Sequence, residues 1–107
     1  MANAYSILGQ NNPGNTLTDL YVVPASTEAV GTLYIANREA AANTVRVSVA
    51  EDGAADSNEQ YLLYDVSIPA NDTLILPGIS LSAADDLRTY ASDTNVSFTF
   101  MGVEIST

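Results

Sequence analysis

Apolar and polar residues alternate along much of this chain. Val45, Val47 and Val49 are separated by Arg46 and Ser48, and Val96, Phe98 and Phe100 by Ser97 and Thr99. A period of two sends successive side chains to opposite faces of a sheet, so each run predicts a half-buried strand. The second run continues through Gly102 to Val103 and Ile105, and the glycine predicts a bend or bulge. Further strands are predicted over residues 5–8, 17–23, 30–36, 61–68, 73–76 and 87–91, eight in all. The segments between them, 9–15, 24–27, 37–43, 52–58, 69–72 and 77–86, are rich in the Gly, Pro, Asn, Asp and Ser that turns require. Helix competes only at the Ala-rich stretch 38–42 and at Ser82 to Asp85, which has the form of a capping box. Both are too short to be stable helices and are assigned to loops or single turns. The prediction is an all-β fold, a single β-sandwich (jelly-roll or immunoglobulin-like) of about eight short antiparallel strands. At 107 residues it forms one domain, 1–107, with residues 1–15 expected to be available as an N-terminal arm.

Composition narrows the chemistry. The chain has no Cys, His, Trp or Lys, so the usual zinc ligand sets, Ser-His and Cys-His nucleophile pairs, Schiff bases and P-loops cannot be assembled. Three arginines face thirteen acidic residues, giving a formal net charge of −10. Such a field repels nucleic acid and anionic membrane surfaces. No apolar run approaches the roughly 20 residues of a spanning helix. The start, Met1 to Tyr5, lacks a basic and apolar leader and reads as a protein made in the cytoplasm. The expectation is no enzyme, no cofactor and no metal.

Individual motifs support that expectation. The acidic stretch 51–56 lacks the alternate-position spacing of a calcium loop and reads as a solvated hairpin loop. Asp85 and Asp86 are neighbours that point apart, which makes them a poor catalytic pair. A glycosidase would need two acids about 5–10 Å apart in a sugar-sized cleft, and nothing in the pattern marks one. The sequons at Asn71 and Asn95 read as turn chemistry. Tyr61, Leu62, Leu63 and Tyr64 form a run that is apolar on both faces, so one face is either covered by the second sheet or left for a neighbouring subunit. Tyr61, Tyr64 and, in the N-terminal segment, Tyr5 are therefore candidate interface residues, together with Arg46 and Arg88, two cations in an acidic surface.

The segments Thr18 to Ala25, Thr32 to Asn37 and Tyr61 to Thr73, with the ending Asn95 to Phe98 and Gly102 to Ile105, resemble short virion proteins of tailed bacteriophages, including phages of cyanobacteria. The resemblance spans nearly the whole chain and rests on wording and order, with no catalytic signature. It implies a small β-sandwich resembling head decoration, or cement, proteins: a homotrimer on the exterior of the head whose partner is the major capsid protein. Its alternative is a module of the tail, baseplate or fibre that binds a host surface or joins other tail proteins.

Overall fold

The alternating runs bury one side of every strand between two stacked four-stranded sheets. The computed structural model describes residues 4–107. In chain order the strands are β1 (Tyr5–Asn11), β2 (Thr18–Val22), β3 (Thr27–Asn37), β4 (Asn43–Ala50), β5 (Tyr61–Ile68), β6 (Thr73–Leu81), β7 (Asp86–Ala91) and β8 (Val96–Ser106). One sheet has the order β1-β8-β3-β6 and the other β2-β7-β4-β5, all antiparallel. The pairs β4–β5, β3–β6, β2–β7 and β1–β8 are nested, so the chain is one long hairpin rolled into two layers. That is a jelly roll, which settles the choice the sequence left open. Leu33, Ile35, Val45, Val47, Leu87, Val96, Phe98 and Phe100 fill the space between the layers.

β3 begins earlier than the sequence predicts, at Thr27, and β1 and β6 run on through predicted turn residues for one reason. In β6, Pro77 and Gly78 together face the single residue Thr32 of β3, and the strand then continues to Leu81. An edge strand tolerates a proline there because its free side needs no ladder bond. In β1 the register shifts between Ile7 and Gly9, and Leu8, the extra residue, packs on the core. Turn-forming residues thus become bulges and do not end the strands. Of the expected N-terminal arm, Tyr5–Asn11 pairs with β8 of the same chain, while residues 1–3 lie outside the described residues.

The bulge expected at Gly102 is absent from the β3–β8 ladder, which runs unshifted from Thr27 opposite Ser106 to Asn37 opposite Val96. Gly102 lies opposite Gly31, and a Cβ on Gly102 would collide with the Val30 carbonyl and the Gly31 Cα. The glycines let the two central backbones approach closely.

Polar contacts close both ends of the sandwich. At one end the buried Asn37 amide donates to the carbonyls of Ala41, Ile68 and Pro69, and its Oδ1 accepts from Glu39 N–H and Asn43 Nδ2. Arg38 joins the same end by donating to Ser97 Oγ and the Thr94 carbonyl. At the other end Asp85 accepts from Asp52 N–H and Ser82 N–H, tying the loop after β4 to the turn before β7.

Gly102→Ala is expected to cost about 3 kcal/mol or more, because the added carbon meets backbone that cannot move aside. Gly78→Ala, at φ +75° with open space around it, is expected to cost only about 1 kcal/mol of backbone strain. Denaturant midpoints of the two variants check this; equal losses would contradict the close-approach account.

Candidate functional site

The outer face of the β2-β7-β4-β5 sheet carries most of the predicted site residues, and a bulge gathers them. In the β4–β5 ladder Val45 pairs with Val66 and Val47 with Leu63, so Tyr64 and Asp65 both face Arg46. Asp65 takes φ +53° to make the bulge. Its carboxylate receives Arg46 Nε at 2.6 Å and Nη2 at 3.2 Å. The guanidinium lies 4.3 Å from the Tyr64 ring centroid and 4.6 Å from that of Tyr90, the residue paired with Arg46 on β7. Tyr61 meets Tyr64 edge-on with centroids 5.0 Å apart. The cation is thus fixed by one bidentate partner and two ring faces. The Arg46 hydrogen bond holds the Asp65 carboxyl below the usual range. Burial, aided by Asp56, pushes the Tyr61 hydroxyl up.

Further along the same face, Arg88 Nε lies 3.0 Å from Asp86 Oδ2 and 3.4 Å from Asp19 Oδ1, and Nη2 donates to the Ala54 carbonyl at 2.8 Å. Arg88 therefore pins the loop between β4 and β5 to the sheet. That loop holds its own shape, with Gln60 Nε2 donating to Ala55 and Gln60 Oε1 accepting from Ser57 N–H.

Arg46, Arg88, Tyr61 and Tyr64 thus share one face, whereas Tyr5 stands on the outer side of the opposite sheet, paired with Val103. Sequence reasoning missed Tyr90 and Asp19, which join the face through strands distant in the chain, and Asn37 and Asn43, which read as turn residues. In the Tyr61 to Tyr64 run, Leu63 packs on the core while Leu62 and Tyr64 remain exposed within the single chain. Among the described residues, no group of three or more Asp, Glu, His or Cys is placed to hold a metal ion. Asp19 and Asp86 share Arg88 and are close enough to share a hydrogen bond, which leaves no room between them for a sugar or an attacking water. Among the described residues no helix is long and apolar enough to cross a membrane. What the face offers is a fixed cation flanked by tyrosines, with a groove of about 490 Å³ beside Asn58, Tyr61 and Tyr64, suited to contact with another surface.

No family model matches the chain, and no curated protein does. Solved structures do. A chain of the acidic stable capsid structure of Helicobacter pylori bacteriophage KHP30 has a TM-score of 0.58 at 13% identity, and the match covers 100% of this chain and 95% of that one. A chain of the structure of infectious bursal disease virus Gx strain has a TM-score of 0.56 at 10% identity, covering 98% of this chain and 33% of that one. Both neighbours come from viral structures. At these identities they share the fold.

Asp86 gives this face a pH dependence. It is buried, its Oδ1 has no donor, and burial followed by the neighbouring Asp19 pushes its carboxyl up to about 6 against the opposing pull of Arg88. A carboxyl that keeps its proton to higher pH when folded makes the folded state bind more protons between about pH 4 and 6. Stability therefore falls as pH rises through that window and stays lowered above it. Asp86→Asn is expected to stabilise the protein at pH 7.5, on the order of 1 kcal/mol, and to flatten the dependence between pH 4 and 6. Thermal melts across that range check this; a wild-type melting temperature that climbs from pH 4 to 6, unchanged in the variant, would refute it.

Proposed function

We propose that this protein is a non-catalytic structural subunit of a bacteriophage virion, and within the virion a decoration protein on the exterior of the head. The observation that carries the reading is the end-to-end likeness to a chain in a phage capsid structure, which matches in fold and in length and leaves neither chain with a large unmatched part. Two physical features support it. The net charge of −10 suits a subunit facing solvent, since packaged DNA lies on the other side of the shell wall. The tyrosine-arginine face is held rigid by its own ion pairs and ring contacts, so docking it on the major capsid protein costs little side-chain ordering.

In this reading the protein works by mass action. A subunit that binds only the assembled shell stabilises it by RT ln(1 + [L]/Kd) at each site, multiplied over many sites. Tyr64 and Tyr61 supply the apolar contact and Arg46 the fixed charge, while Arg88 keeps the adjoining loop in place.

Mass spectrometry of purified virions is expected to count the protein in the hundreds, in simple ratio to the major capsid protein. A count of a few to a few dozen would move it to the tail or neck, and absence from the particle would sink the proposal. Tyr64→Ala is expected to weaken binding to purified shells about tenfold with the fold intact; unchanged occupancy would remove this face from the contact.

A further inference from the structure

We infer that the outer face of the β1-β8-β3-β6 sheet is a self-association surface, buried by another copy of this chain. Its outward positions are set by the ladders. Ile7 stands beside Met101, Met101 beside Thr32, Val30 beside Val103, and Tyr34 beside Ile75. Tyr5 is 88% exposed, Ile7 57%, Ile75 54%, Val30 41% and Met101 38%, so apolar side chains from all four strands lie open on one surface. A groove of about 350 Å³ runs between Tyr5, Ile7, Thr32, Tyr34 and Met101.

Charge identifies the occupant. Of thirteen acidic residues, only Glu28 occupies an outward position on this sheet, and it sits at one end, opposite Ile105. The opposite sheet carries Asp19, Arg46, Asp65, Asp86 and Arg88. Two copies at −10 each repel wherever acidic surfaces meet, so the face cleared of charge is the one on which they can meet without burying unpaired carboxylates. Glu28 stands at one end of this surface, and Arg38, which donates to the outward Ser97, at the other; the stretch between them has no charge to match a charged partner, and its complement is another neutral apolar face, which this chain supplies. Size agrees. The long axes of 43 and 28 Å set an upper limit of roughly 1,200 Å² on one face, within which the roughly 800 Å² per partner of a standard interface fits.

The inference is independent of the virion reading, and its test uses the purified protein alone. Sedimentation equilibrium at micromolar to millimolar concentration is expected to give a mass of two or more copies, with association strengthened by added salt, which screens the repulsion. The same mass gives the copy number. Met101→Glu and Ile7→Glu, each tested for a wild-type circular dichroism spectrum, are expected to return the protein to monomer. Leu62→Glu, the same added charge at an exposed position on the other sheet, is expected to leave the oligomer intact. If Met101→Glu fails to fold, Ile7→Glu on the edge strand decides. A wild-type monomer at every concentration overturns the inference and leaves the face to a different protein; so does an oligomer that survives the substitutions on this sheet or is lost with Leu62→Glu.

Discussion

The unshifted β3–β8 ladder is the constraint on which the rest of the sandwich depends. These are the two central strands of their sheet, and both remaining strands take their register from them, β1 from β8 and β6 from β3. Side chains alternate with a period of two, so a slip of one residue between the central strands would turn Leu33 and Ile35, or Phe98 and Phe100, out of the core. Gly31 and Gly102 mark the correct alignment, because it is where each meets the other and no Cβ stands in the way. Irregularity is moved to the edges, where the bulges of β1 and β6 leave the central seam intact.

The ends of the sandwich are held by a different chemistry. Asn37 and Asn43 lie buried where the chain passes from one sheet to the other, and an unpaired amide there would cost about 1–3 kcal/mol. Hydrogen bonds to loop carbonyls and to Ser92 remove that penalty and join the connections β3–β4, β5–β6 and β7–β8. At the opposite end Asp85 and Arg88 do the same for the long loop after β4. Two of the three arginines are thus committed to loops, and the third is clamped between tyrosines. The few cations are used as internal fasteners, and the net negative charge is left to the surface.

The strand count and the sandwich were legible because the alternating runs are long and the turn residues regular. Strand lengths were less so: Gly9, Pro77 and Gly78 carry the same turn preference whether they end a strand or sit in a bulge, and only the partner strand decides. Part of the site was legible, since Arg46, Tyr61 and Tyr64 stand out by residue type. Tyr90 and Asp19 could not be found that way, because they reach the face through pairings with residues far off in the chain. The neutral face of the other sheet was hidden for the same reason. Each of its strands shows only a few outward apolar residues, and the order β1-β8-β3-β6 is what makes them neighbours.

Nested pairing also dictates what the chain must do while it is being made. The innermost hairpin, β4–β5, can close early, but β1 has no partner until β8, the last strand, has been synthesised. Each enclosing pair brings together residues further apart in the chain, a topology that folds slowly. During that interval apolar strand edges from several growing chains are exposed side by side, the condition under which they aggregate. By Ile68, where the β4–β5 hairpin is complete, eight acidic residues against two arginines already give the growing chain a net charge of −6, which holds such chains apart. The acidity that dresses the finished surface thus guards the newborn chain before it has a surface at all.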